Sequence, residues 1–323
     1  MQEGGIMTAV TIQDIEAAQT RIRGAVRRTP MLRVAPVVGM SLPCDLVLKL
    51  ENLQLAGSFK ARGAANTALS LTREQLANGV ITASGGNHGL GVAAAAKAAG
   101  VPASIHVPVT AAPDKVARMR RFGAEVVVAG DAWDDANQLA LARVEAEGRV
   151  YVHPFAQPSV IAGQGTVGLE ILEDMPDVQT VVLAIGGGGL ISGVATALKA
   201  RKPGIRIIGV EPEGAPTLRR SVDAGHLVSL DRITTRAPTL APRRSAEINL
   251  EIIQRTVDDI VLVSDPEMYS AAAWLWNELG IGTELAAAAG MAALFNGRFP
   301  VRTDEKVCVV ICGAGVDGFD RTD

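Results

Sequence analysis

A short apolar run, a glycine turn and a helical stretch recur along this chain, and that rhythm restricts the fold more than any other feature. "DLVLKL" (45–50) reads as a strand and "GSFKARGAANTALSL" (57–71) as a helix opened by glycine. "GVITAS" (79–84) is a strand, and "GGNHGLGVAAAAKAAG" (85–100) is an Ala-rich helix closed by Gly100. The alternation continues with strands at 102–108, 125–130 and 150–155, helices at 113–124, 134–147 and 161–175, a strand at 180–185 and a helix at 190–202. "RIIGVEPEG" (206–214) is a strand and loop, helical segments fall near 245–257 and 266–296, and a last strand falls at 306–312. Strand, helix, strand at this spacing predicts parallel sheets covered by helices on both faces. The units are too many for one small sheet, so an α/β fold with two sheets is expected. The segment 229–247 is the least regular and is expected to be a surface excursion or a lid.

Composition agrees with buried parallel strands. Apolar residues make up 48 % of the 323 residues but aromatic ones only 3 %, so the core is Ala, Val, Ile and Leu. A net charge of −3 gives no basic face for nucleic acid. No apolar run is long enough for a spanning helix. Cys44, Cys308 and Cys312 match no zinc spacing, and an odd number argues against a disulfide framework. The leader "MQEGGIM" lacks a basic start and a long apolar stretch. The expectation is a cytoplasmic enzyme or binding protein with a small-molecule substrate.

Three loops at strand ends could carry chemistry. In "LAIGGGGLISG", Gly186 to Gly189 end a strand and open a helix. Bare amides at a helix N-terminus make an anion cradle. Gly-x-Gly-x-x-Gly does not fit, because the sixth residue from Gly186 is Ile191, and no Lys-Ser/Thr follows as in a Walker loop. A cup for a single phosphate is one reading and a tight turn the other. In "ENLQLAGSFKARGA", Lys60 sits in the first turns of a helix, at the positive end of its dipole. Partly buried there, its amine would be a usable nucleophile. A lysine reaching to solvent is the alternative. In "TASGGNHGLG", Ser84, Gly85, Gly86, Asn87 and His88 lie between strand and helix, suited to a carboxylate or a ring hydroxyl, or simply to capping.

A fourth stretch, "KVCVVICGAGVDG" (306–318), spells a dinucleotide fingerprint at Gly313, Gly315 and Gly318. Such a site needs a following helix and an acid about 20 residues on. Too little chain follows to supply either, so the spelling is a coincidence.

Together these pieces resemble the fold-type II pyridoxal-phosphate enzymes, and among them the threonine/serine dehydratases (ammonia-lyases). The likeness runs through "RTPMLR" (28–33), "LENLQLAGSFKARGA" (50–64), "TASGGNHGLGVA" (82–93), "PFAQPSVIAGQGTVGLEI" (154–171), "IGGGGLISGVA" (185–195) and "GVEPEGA" (209–215). It implies a tryptophan synthase β-like architecture: a large domain from 1–78 and 155–323, with a small domain, 79–154, inserted into it. It implies that Lys60 carries the cofactor and acts as the base, and that Phe59 packs near the cofactor ring. Asn87 would bond the ring hydroxyl, and Gly186, Gly187, Gly188, Gly189 and Leu190 would form the phosphate cup. Cys312 would face the ring nitrogen, and Ser84, Gly85, Gly86, Asn87 and His88 would hold the substrate carboxylate. The implied reaction removes ammonia from a β-hydroxy-α-amino acid such as threonine or serine, leaving a 2-oxo acid. A homodimer is the implied assembly.

The chain also departs from this pattern. Racemases of the family carry a serine where Gly85 stands, so racemisation is not expected. Many relatives bind a divalent cation through a Glu, a carbonyl four residues on and an acid six residues on. Those positions are Glu211, Ala215 and Thr217 here, so no strong metal site is expected. The stretch 236–250 lacks the usual glycines, and "GTELAAAAGMAAL" (282–294) keeps the acid Glu284 but not the residues after it. Arg243 and Arg244 are either solvated charges or partners for an anionic side chain. Dehydration of a non-standard hydroxy amino acid, such as 3-hydroxyaspartate, and other β-eliminations or β-replacements therefore stay open.

Overall fold

The computed structural model describes residues 10–35 and 43–318. The leader read above lies outside them. In chain order the elements are α1 (Ile12–Arg21), β1 (Met31–Arg33), β2 (Asp45–Lys49), α2 (Lys60–Ser70), β3 (Val80–Ala83), α3 (Asn87–Ala99) and β4 (Ala103–Val107). There follow α4 (Pro113–Arg121), β5 (Glu125–Val128), α5 (Trp133–Glu147), β6 (Val150–Tyr151), α6 (Pro158–Asp174), β7 (Thr180–Ala184) and α7 (Gly189–Arg201). The rest are β8 (Arg206–Pro212), α8 (Thr217–Ala224), α9 (Glu247–Thr256), β9 (Asp259–Val263), α10 (Asp265–Leu279), α11 (Ala289–Phe295) and β10 (Lys306–Val310).

The strands form two sheets. One has six strands in the order β1-β2-β10-β7-β8-β9, the other four in the order β5-β4-β3-β6. Every pairing is parallel except β1 with β2. β7 is buried along its whole length and β10 at four of its five residues, as strands covered on both faces must be. Last in the chain, β10 sits between β2 and β7. Chain order breaks there, and loops at the carboxyl ends of such strands form ligand crevices.

Several sequence expectations need correction. The helical segment expected at 266–296 is two helices, because Gly280 takes the left-handed conformation and ends α10. The strand expected at 150–155 stops at Tyr151. The Val152 carbonyl beyond it accepts bonds from the Thr82 hydroxyl and the His88 ring. β1 runs antiparallel, where only parallel strands were expected. The irregular 229–247 segment is more than a surface excursion, since Leu230, Ala237, Leu240 and Ser245 are buried.

One buried cluster had no sequence signal. Arg62, on α2, forks between Glu51 (2.8 Å) and Glu170 (2.7 Å), and Lys49 bonds Glu170 (2.7 Å) and the Thr29 carbonyl (2.8 Å). The side chains of Lys49, Glu51 and Arg62 are almost wholly out of solvent. Two cations and two carboxylates cancel, so the cluster is neutral and ties β2, α2 and α6 together. Among the described residues no helix is long and apolar enough to cross a membrane.

Candidate active site

Lys60 is the first residue of α2. The loop before it is stitched to the loop after β10. The Phe59 amide donates to the Cys312 carbonyl (3.2 Å), the Ala314 amide to the Gly57 carbonyl (2.8 Å), and Ser58 pairs with Gly313 as a lone bridge. Residues some 250 positions apart in sequence thus become neighbours. The turn is tight enough to place Ala56 at φ 60°. Lys60 Nζ donates to the Pro154 carbonyl (2.6 Å) and lies 5.2 Å from the centre of the Phe59 ring. Burial lowers its pKa to about 8, against an upward pull from Cys312 and Glu284. The nucleophile reading of Lys60 is thus the one the geometry favours. In the cofactor-free protein, acylation of Lys60 should be half-maximal near pH 8, the amine being neutral above that value. Mass-spectrometric mapping across a pH series checks this, and an ordinary lysine profile would refute it.

Asn87 opens α3, and its Nδ2 donates to both oxygens of Glu284 (2.9 Å each). Burial raises the Glu284 pKa, while Lys115 and Asn87 pull it down. Glu284 lies so close to the β10 loop that a Cβ on Gly313 would come within 2.4 Å of its Oε1, so only glycine fits there. Ser84 Oγ accepts from the Gly86 amide (3.3 Å), and the Ser84 amide donates to the His106 carbonyl (3.0 Å). The His88 ring bonds the Val152 carbonyl (2.9 Å), and burial drops its pKa to about 3. It stays neutral, so what His88 can offer a ligand is its first-turn amide and not its ring.

Gly186 to Gly189 connect β7 to α7, with Leu190 buried in the first turn. Gly188 takes φ 94°, a region that side chains rarely enter. A Cβ on Gly187 would meet the Phe155 ring at 2.2 Å, and one on Gly186 the Thr239 carbonyl at 2.6 Å. Ser245 Oγ (2.9 Å) and Asn249 Nδ2 (2.8 Å) hold the Gly187 carbonyl. The loop is thus a walled cup whose glycine amides at the α7 N-terminus suit a phosphate group. Cys312 is buried, and burial with Glu284 nearby pushes its thiol pKa up, so it remains a protonated, weak donor.

Lys60, Phe59, Cys312, Asn87 and Glu284 are joined directly or through one bond, and Thr239 links the cup to the Asn87 loop, 4.0 Å from where a Gly86 Cβ would lie. Thr239, Pro154 and Phe155 were missed from sequence. Thr239 comes from the irregular segment, and no periodicity marks it. Arg243 bonds the Leu230 and Asp231 carbonyls, and Arg244 bonds the Leu227 carbonyl and Ser229. Both guanidiniums therefore brace their own segment.

A half-buried amine at the meeting of two parallel sheets, beside a glycine cup for one phosphate, defines an enzyme class that holds a phosphorylated aldehyde. A family model described as pyridoxal-phosphate dependent enzyme matches residues 22–313. The chain belongs to that family, and its cofactor is pyridoxal phosphate. It is 40 % identical over 308 residues to an L-threonine ammonia-lyase of Thermotoga maritima, covering 95 % of this chain and 76 % of that one. It is 38 % identical to the catabolic L-threonine dehydratase of Escherichia coli, covering 95 % and 94 %. Among solved structures it is similar to maize serine racemase (TM-score 0.92, 35 % identity, 96 % and 95 % covered) and to a bacterial threonine deaminase from T.th. (TM-score 0.88, 37 % identity, 94 % and 98 % covered).

Proposed function

We propose that this chain removes ammonia from a β-hydroxy-α-amino acid such as threonine or serine, giving a 2-oxo acid. The observation that carries the reading is the Lys60 amine, bonded to a carbonyl and lowered to about 8, standing between the Asn87–Glu284 pair and the glycine cup. Likeness to threonine ammonia-lyases along nearly the whole chain supports the substrate class.

Pyridoxal phosphate, when bound, supplies the aldehyde that takes the amino nitrogen and the ring that accepts the electron pair from Cα. Lys60 anchors the group and then, as a neutral amine, takes the proton from Cα. The amides of Gly186 to Leu190 hold the phosphate. Asn87, oriented by Glu284, faces the ring hydroxyl, and Phe59 packs at the ring. Ser84, Gly85, Gly86, Asn87 and His88 hold the substrate carboxylate through backbone amides and the Ser84 hydroxyl. The Cys312 thiol gives the ring nitrogen only a weak hydrogen bond, which leaves charge at Cα poorly stabilised and favours prompt loss of the β-hydroxyl. The released enamine hydrolyses to the 2-oxo acid and ammonia.

Racemisation is disfavoured. A side chain at Gly85 would start 2.9 Å from the Ala111 Cβ, so the loop has no room there for a second serine acid–base. In the same reading, 79–154 is a unit inserted in the rest of the chain, and the enzyme works as a cytoplasmic homodimer, whose size light scattering tests. The substrate test is a panel of serine, threonine, 3-hydroxyaspartate and phenylserine, scored for 2-oxo acid and ammonia. Turnover of serine or threonine is expected. Reaction of O-acetylserine or cysteine alone would replace this reading with a different β-elimination or β-replacement.

A further inference from the structure

The corner at the end of β8 is where a divalent cation would sit if this chain followed the family pattern. Its three groups do not fit that role. Glu211 is fully buried, with Oε1 accepting from the Leu218 amide (2.9 Å) and Oε2 from the Arg219 amide (2.8 Å). The Ala215 carbonyl accepts from the Thr217 amide (2.9 Å). The Thr217 hydroxyl donates to the Pro242 carbonyl (2.7 Å), and a hydroxyl is a poor substitute for a carboxylate toward a hard cation. The carboxyl group of Glu211 instead caps α8 from the neighbouring strand, satisfying two first-turn amides at the positive end of the helix.

What α8 holds in place is the cup. Leu218, in its first turn, is wholly buried, and its Cδ1 lies 2.9 Å from the point a Cβ on Gly188 would occupy. Gly188 is the left-handed residue on which the cup turns. Thr217, beside Leu218, is bonded to Pro242, and the same segment delivers Ser245 to the Gly187 carbonyl. A line of direct contacts therefore runs from Glu211 through α8 to both central glycines.

We infer that Glu211 is a positioning residue for the phosphate cup, acting through Leu218, and that this chain sets its cup without a cation. The inference rests on the reading that Gly186 to Gly189 hold the cofactor phosphate. The test uses two probes on the folded protein, pyridoxal 5′-phosphate and pyridoxal, which lacks the phosphate. Glu211→Gln keeps the size but leaves one helix amide facing an NH2 group. It should weaken pyridoxal 5′-phosphate about tenfold, the equivalent of one lost buried hydrogen bond, and leave pyridoxal unchanged. Leu218→Ala should produce the same selective loss, and it serves if the first variant does not fold. The melting temperature of the unaltered protein should not respond to Mg²⁺, Ca²⁺ or a chelator. Equal weakening of both probes, no weakening of either, or a cation-dependent melting temperature would each overturn the inference. If the unaltered protein holds the two probes equally, the reading of the cup itself fails, and the inference with it.

Discussion

Lys60→Ala protein should lose turnover of its β-hydroxy amino acid by about ten-thousandfold, the upper end of what a positioned proton-transfer group contributes. It should also bind pyridoxal phosphate without the visible absorbance that the lysine-bound cofactor gives. Both effects follow from one amine. It is held by the Pro154 carbonyl, and its lowered pKa makes it neutral at mildly alkaline pH. The sign is fixed by burial. Below about pH 8 the amine is charged and cannot accept a proton, so the activity of the unaltered enzyme should fall on the acid side of its profile. Spectra and a 2-oxo acid assay of purified protein check the prediction. Turnover within tenfold of the unaltered enzyme would remove Lys60 from the chemistry.

The second large effect is on stability. Arg62→Met should cost about 3–5 kcal/mol, because of the cluster's two cations it leaves Lys49 alone against two buried carboxylates. Urea unfolding should show a lower midpoint with an unchanged slope. Arg62→Lys should lose less, since it keeps the charge but cannot fork between Glu51 and Glu170. A loss under about 1 kcal/mol for Arg62→Met would mean that water or rearrangement replaces the cation, contrary to the burial described.

Much of the fold was legible before the structure. The apolar runs that became β2, β3, β4, β7, β8 and β10 are short, glycine-bounded and surrounded by helical patterns, and buried parallel strands require little more. Lys60, Asn87 and the four glycines were legible too, because each lies in a loop at a strand's end where local composition is unusual. Failures came where long-range geometry decides. The partner of Arg62 and Lys49 on α6, Glu170, lies 108 and 121 residues away from them, so no local pattern announces a charge pair. Thr239 is carried to the site by an irregular segment with neither period. Glu284 was noticed as an acid, but its bond to Asn87 spans 197 positions of chain. The fingerprint-like glycines after β10 do have a job, which is to let Glu284 close on the loop rather than to approach a nucleotide.

The place of β10 has a consequence for synthesis. Because it lies between β2 and β7, a nascent chain that has not yet exposed residues 306–310 lacks the strand that joins those two. The Cys312 carbonyl that steadies Phe59 beside Lys60 arrives only after them. On the ribosome, then, the amine is made early and its surroundings late. An unfinished chain displays a lysine without the site that would recruit the aldehyde to it, and competence to hold the cofactor switches on as the final strand is inserted.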